Sequence, residues 1–275
     1  MVKDHVVSKE SFIICECSNC KLWFTNPRPD KDNINRYYQS ANYISHQNKA
    51  NNIINIIYKI IRNFTIKQKI KWLNEKVNKK GRLLDFGCGT GHFLKAAHKN
   101  GWDTYGIEPD IYAAKLAKTK NQVKLLNGLI DLDNHKKFDA ITLFHVLEHI
   151  HDLNKTLSKL LNHLKKRGTL FIAIPNRNSK DAQDFKEYWA SLDIPRHLYH
   201  FNQPVMGYLA NKFDCRIIDI KPMVFDSYYI TMLSNKYRNT NASLLTSTIQ
   251  GYRSNKQAKE NDNNFSSLLF ILKKK

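Results

Sequence analysis

Leu83-Leu84-Asp85-Phe86-Gly87-Cys88-Gly89-Thr90-Gly91-His92-Phe93-Leu94 decides the fold. An apolar strand runs into a loop with glycine at every second position, and a helical pattern starts directly behind it. Glycine lacks a Cβ, so backbone here can approach a ligand closely and take positive φ. The helix start offers free amide groups. Strand, glycine loop and helix in this order suit a nucleotide-like guest at an α/β sheet.

The spacing narrows the guest. A dinucleotide fingerprint reads Gly-x-Gly-x-x-Gly. Here the third glycine comes one residue early, at Gly91, and His92 stands where that glycine would fall. Asp85 precedes the first glycine by two residues; a carboxylate there repels a pyrophosphate but can hold an amino group. The next strand ends in Gly106-Ile107-Glu108-Pro109-Asp110. A carboxylate at that point can accept both hydroxyls of a ribose. Amine, ribose and no phosphate bridge describe S-adenosylmethionine.

Outward from the loop, short apolar strands alternate with helical stretches, the pattern of a parallel sheet with crossover helices. Strands are expected at 82–86, 103–107, 122–126, 138–143, 169–174 and 215–220, and a last one over Phe265 to Leu272. Helices are expected near 91–100, 110–119, 152–165, 179–189 and 203–212. Upstream, Ile53, Ile57, Ile60, Ile61, Phe64, Ile70, Leu73 and Val77 recur at helical spacing. The fold class is α/β: a Rossmann-like, seven-stranded, mostly parallel sheet with helices on both faces, plus an N-terminal helical cover. The expected division is an irregular arm over 1–45 with a short helix at 32–39, the cover over 46–80, and the sheet domain over 81–275. A polar helical insertion occupies about 222–264, and its Tyr228, Tyr229 and Met232 are candidates for an acceptor pocket.

These residues resemble class I S-adenosylmethionine-dependent methyltransferases. "LDFGCGTG" looks like their first motif and "GIEPD" like the acidic end of their second strand. "FDAITLFHVLEHIHD" is similar to the fourth strand and turn of the branch containing the quinone-biosynthesis O-methyltransferases, and "GTLFIAIPN" looks like the fifth strand. The resemblance covers about residues 60–220. It implies that Gly87, Cys88, Gly89 and Gly91 line the methionine half of the cofactor, with Asp85 near its amino group. It implies that Glu108 holds the ribose, beside Pro109, and that Gly128-Leu129-Ile130 flanks the adenine. His145 would face the cofactor near the reacting methyl.

Transfer to a hydroxyl requires alignment and removal of a proton, and histidine titrates nearest neutrality. Two clusters qualify: His145-Val146-Leu147-Glu148-His149, and Asp193-Ile194-Pro195-Arg196-His197-Leu198-Tyr199-His200. His149, His197 and His200 are the candidate bases, and Arg196 could pair with an acceptor anion. Some quinone O-methyltransferases use acids and a histidine at the first cluster with a divalent cation. Glu148 and His149 match that pattern and His145 departs from it, so no metal ligand is assigned. The second cluster resembles a subgroup associated with bacterial surface glycans. Cys17-Ser18-Asn19-Cys20 is half of a zinc-ribbon pattern, without the second pair that four ligands require.

Composition bounds the rest. The 275 residues are 42% hydrophobic and 25% charged, which is globular rather than disordered. No run of 18 apolar residues suggests a membrane span, and the start lacks the apolar stretch of a signal peptide, so a cytoplasmic enzyme is expected. Five cysteines suggest no disulfide framework. The net charge of +20 comes from 34 Lys and 10 Arg. Arginine does most planar phosphate and guanine recognition, so this surface reads as solvated lysine rather than a nucleic-acid footprint. No Asn- or Asp-Pro-Pro motif follows the fourth strand, against a base-amine methyltransferase. The expected activity is O-methylation of a small-molecule, glycan or lipid intermediate. An RNA methyltransferase using the basic surface, and a degenerate methyltransferase fold that only binds, are the rivals. Any membrane contact is peripheral.

Overall fold

A computed structural model describes residues 1–38 and 53–275, with side chains of the second stretch described from residue 59. The described part of the arm, residues 1–38, is not irregular. Strands β1 (Val2–Lys3) and β2 (Ser11–Phe12) pair with each other, and β3 (Ile14–Glu16) pairs with β4 (Trp23–Thr25). A 3-10 turn covers Ile34–Tyr38, inside the expected short helix. Strands this short carry no periodicity that local sequence could show.

One helix, α1 (Ile53–Lys76), forms the cover. Its C-terminal half buries Ile70, Trp72 and Leu73, whereas Ile60 and Phe64 are exposed. The helix therefore covers the core with its C-terminal half and leaves apolar side chains on the surface further up. Ile53 and Ile57 have no described side chains.

The sheet domain then follows the expected alternation. Strand β5 (Arg82–Phe86) leads to α2 (His92–Lys99), β6 (Asp103–Ile107) to α3 (Ile111–Asn121), and β7 (Lys124–Leu126) to a 3-10 turn at Leu129–Asn134. Strand β8 (Phe138–Phe144) leads to α4 (Leu153–Asn162) and then β9 (Leu164–Pro175). The helix expected to reach 165 thus stops at Asn162. After the buried Leu164, strand β9 runs through Lys165, Lys166 and Arg167, all exposed, so its start shows no apolar run. Short α5 (Lys180–Phe185), β10 (Tyr199–His200) and α6 (Gln203–Lys212) precede β11 (Cys215–Pro222). The insertion is two helices, α7 (Asp226–Tyr237) and α8 (Leu244–Glu260), before β12 (Ser267–Lys274).

Seven strands order as β11-β12-β9-β8-β5-β6-β7. The neighbours from β9 to β7 are parallel, and β12 runs antiparallel to both β9 and β11. Side chains alternate between two cores, as strand geometry demands. Leu84, Ile141 and Ile172 join α4 and α6 on one face. Leu83, Ala140 and Phe171 join α1 and α2 on the other. Because β5, β6 and β8 are parallel, the loops after them meet at one sheet edge, where ligands of such sheets bind.

Candidate active site

The glycine loop sits at that edge. Gly87, Gly89 and Gly91 have φ of 78°, 52° and 80°, all left-handed. Their surroundings differ. A Cβ on Gly87 would lie 2.4 Å from Val146 Cγ2, so the loop after β8 packs directly on the glycine loop. A Cβ on Gly91 would meet Val123, and one on Gly89 would meet nothing within 4 Å. Gly89 therefore faces open space. Cys88 instead turns into the core toward Gly106, and burial pushes its thiol pKa up. Its backbone alone lies at the loop.

Two carboxylates border the loop. Glu108 Oε2 accepts from the Gly89 amide at 2.7 Å and Oε1 from the Asp110 amide at 2.9 Å. Burial raises its pKa against those two bonds. Asp85 is buried and accepts from Thr142 Oγ1 at 2.6 Å. Burial raises its pKa to about 7, although the Thr142 bond and the nearby Lys69 charge oppose the shift. Lys69 reaches this edge from α1, its Nζ 3.9 Å from the centroid of the Phe144 ring. Burial lowers its pKa, while Asp226 and Asp85 act the other way. Pro109 is exposed; Gly128 faces open space, Leu129 begins a 3-10 turn, and Ile130 is exposed.

The loop after β8 gathers a second group. His145 has φ 57°, and its Nε2 stands 3.1 Å from Asp226 Oδ2 at the start of α7. Its Nδ1 stands 3.7 Å from Glu148 Oε1. Burial alone would lower the His145 pKa; the Asp226 and Glu148 carboxylates outweigh it and hold the imidazole at about 9. Glu148 is 1% exposed, and neither of its oxygens has a hydrogen-bond donor. Burial would raise its pKa, but the three neighbouring histidines hold it at about 2. His149 Nδ1 lies 3.0 Å from the Arg196 carbonyl and 3.0 Å from the Tyr38 hydroxyl. Burial first, and His197 second, bring its pKa down to about 4. His197 comes from the loop before β10, where Nδ1 lies 2.8 Å from the Ser191 carbonyl. The ligating atoms of Glu148, His149 and His197 all lie within 4.8 Å of one another. The sequence assigned no metal ligand here; these three could hold an ion.

The remaining candidates lie elsewhere. Arg196 is 1% exposed and spends its guanidinium on Asp4, Asp193 and the Tyr37 carbonyl. It is an internal anchor, with no face left for an acceptor anion. His200 is buried on β10, its Nε2 3.4 Å from Thr25 Oγ1 of β4, and burial brings its pKa down to about 3. It faces the arm. Tyr228 packs against Gly251, and Tyr229 is 44% exposed. Asp226 of the insertion reaches the histidine group through His145 Nε2. Asp226 and Lys69 escaped the sequence reading. Lys69 lies between Ile66 and Ile70 on the stripe that continues to Leu73, and a lysine inside an apolar stripe was the available signal. Asp226 had none, because its partner lies 81 positions away.

Residues 58–220 match the family described as "Methyltransferase domain", more than half of the chain. The chain belongs to this family. A ubiquinone biosynthesis O-methyltransferase from Pelagibacter ubique is 32% identical over 127 residues, covering 44% of this chain and 51% of that protein. The chain spans about half the length of the curated relatives it matches. Among solved structures, magnesium protoporphyrin IX methyltransferase from Synechocystis, crystallised with SAH, superposes with a TM-score of 0.58 at 14% identity. It covers 90% of this chain and 100% of its own. The [4+2]-cyclase SpnF superposes with a TM-score of 0.52 at 15% identity, over 75% of this chain and 80% of its own. These likenesses show the methyltransferase fold, which a cyclase shares, so the reaction must be argued from the site. Among the described residues, no helix is long and apolar enough to cross a membrane.

Proposed function

We propose that this methyltransferase-family chain transfers the methyl group of S-adenosylmethionine to a hydroxyl of a small-molecule, glycan or lipid intermediate. The observation carrying this reading is the pair of carboxylates around an open, left-handed Gly89. Asp85 offers a buried carboxylate for the cofactor's ammonium, and Glu108 offers the remaining lone pairs of its two oxygens to a ribose. Gly89 leaves room for the methionine chain. The named O-methyltransferase relative and the SAH-bound structural neighbour support the same reading.

In the transfer, the acceptor oxygen displaces the sulfonium, a C–O bond forms as the C–S bond breaks, and S-adenosylhomocysteine departs. The acceptor must lose its proton. The Glu148–His149–His197 group is assigned this task, because Val146 packs its loop on Gly87 beside the cofactor cradle. His145, held by Asp226, borders the same group. His200 is assigned to packing of the arm.

Calorimetric titration with S-adenosylhomocysteine tests the reading. Micromolar binding is expected, weakened at least tenfold, about 1.4 kcal/mol, in Glu108→Ala. A folded wild-type protein that does not bind overturns it.

A further inference from the structure

Glu148 is the least satisfied ionisable group among the described residues. A carboxylate taken out of water needs donors or a cation. Both Glu148 oxygens are inaccessible and have no hydrogen-bond donor, and the side chain is 1% exposed. Imidazole atoms stand on two sides at non-bonded range: His145 Nδ1 at 3.7 Å and His197 Nε2 at 3.9 Å from the same Oε1.

The two histidines beside it are oriented by backbone carbonyls. A carbonyl oxygen can only accept, so the contacts of His149 Nδ1 with Arg196 O and of His197 Nδ1 with Ser191 O require a proton on each Nδ1. The Tyr38 hydroxyl shares the first of these contacts. A neutral ring protonated at Nδ1 carries its lone pair on Nε2. His197 Nε2 stands 3.9 Å from Glu148 Oε1, and a ring nitrogen of His149 completes a group of three ligand atoms within 4.8 Å of one another. Metal-ligating histidines are held in this way, one nitrogen on the ion and the other donating to a carbonyl or carboxylate.

We propose that Glu148, His149 and His197 form a two-histidine, one-carboxylate site for a divalent transition-metal ion of the zinc class. Bonds of about 2.0–2.2 Å put two ligands on one ion at most about 4.4 Å apart. The Glu148–His197 pair, at 3.9 Å, is already inside that span, and the His149 ligand atom lies within 4.8 Å of both. Three protein ligands leave a coordination position open to another molecule. The donor set decides the class of ion. Two imidazoles suit zinc, iron, nickel or copper, whereas magnesium and calcium take oxygen ligands. The resemblance places an acid at position 145 for a cation site in some quinone O-methyltransferases. This chain has His145 there, engaged by Asp226, and recruits His197 from the loop before β10 instead. The change exchanges an oxygen-rich set for a nitrogen-rich one.

The inference deepens the proposed function, and rests on it for the acceptor's place. A bound divalent ion acts as a Lewis acid and lowers the pKa of a hydroxyl it touches. His149 and His197 would then serve the acceptor as ligands rather than as free bases.

Cobalt(II) is the probe, added to chelator-treated full-length protein. One Co²⁺ per chain is expected, with visible d–d absorption and no thiolate charge-transfer band, undisturbed by a large excess of Mg²⁺. Affinity is expected to fall roughly hundredfold or more in His197→Ala and in Glu148→Gln, with circular dichroism retained. S-adenosylhomocysteine titration of the same samples separates the two readings. Cofactor binding without Co²⁺ binding overturns the metal site alone. Co²⁺ binding that persists in both folded variants, or that shows thiolate charge transfer from Cys17 and Cys20, also overturns it. Loss of S-adenosylhomocysteine binding in folded wild type strikes the proposed function instead.

Discussion

Arg196 Nη2 stands 3.1 Å from Asp4 Oδ1, across 192 positions of sequence, and both side chains are buried. Asp193 accepts from the same guanidinium at 2.7 Å, and Asp4 also accepts from the Val6 and Ser8 amides. This pair fastens the N-terminal arm onto the loop that carries His197. Burial favours neutral Asp4, but Arg196 and the amides outweigh it and hold its carboxyl below the ordinary value. The arm is therefore part of what shapes the site.

Arg196→Met leaves the buried Asp4 carboxylate without its cation, whereas Asp4→Asn leaves the guanidinium with Asp193 as its remaining carboxylate. The first loss costs about 3–5 kcal/mol. Arg196→Met and Asp4→Asn are each expected to lower the denaturation midpoint, with the double variant costing less than the sum of the two. Full additivity in a double-mutant cycle would show that the two groups do not interact.

The glycine loop separates two kinds of constraint. Gly87→Ala drives a Cβ into Val146 at a left-handed φ, so both fold and ligand binding are expected to suffer. Gly89→Ala meets no protein atom and carries a left-handed penalty of about 1 kcal/mol. Its cost should fall on S-adenosylhomocysteine affinity, by tenfold or more, with a small change in Tm. Equal losses of affinity per unit of stability in the two variants would contradict this division.

Asp181 ties the insertion to the sheet domain. It accepts from Trp189 Nε1 at 2.8 Å, Ser254 Oγ of α8 at 2.8 Å and Ser266 Oγ at 2.6 Å. Asp181→Ala leaves three buried donors unpaired, each costing about 1–3 kcal/mol. Thermal unfolding should show a loss of several kcal/mol, and a variant as stable as wild type would remove Asp181 from this role.

How much of this was legible follows from where the partners lie. Asp85 to Leu94 and Gly106 to Asp110 are local motifs, and the sheet with its order of elements came from them and from short periodic runs. The arm was read as irregular because β4 completes its pairing with His200 and Tyr199 of β10, far along the chain. The expected helix runs on to 165 and the expected strand begins only at 169, because Lys165, Lys166 and Arg167 carry solvent-facing charge. In the site, His149 and His197 were singled out as chemistry-bearing residues. Their convergence on Glu148 was invisible, since it depends on two loops meeting at the sheet edge. Arg196 looked like an acceptor-binding residue for the same reason: Asp4, its buried partner, sits at the far end of the chain.

Asp85 makes the pH dependence of the cofactor site a sharp test. Its carboxyl moves from 3.8 to about 7 in the fold, chiefly through burial. The folded state thus holds this proton more tightly than the unfolded chain. Between pH 3.8 and about 7 the unfolded state binds fewer protons at this residue, so its contribution to stability falls as pH rises through that window. Asp85→Asn should remove that slope from a plot of denaturation midpoint against pH. Ligand binding should run the other way. An ammonium beside Asp85 favours the ionised form, so S-adenosylhomocysteine affinity should rise towards pH 7, with protons released on binding below it. Release appears as a dependence of the calorimetric enthalpy on the buffer's ionisation heat, and it should vanish in Asp85→Asn. Lys69 opposes the Asp85 shift, so Lys69→Met should carry both transitions to higher pH. An affinity that is flat with pH in wild type, or a Lys69→Met profile displaced to lower pH, would remove Asp85 as the carboxylate that meets the cofactor's charge.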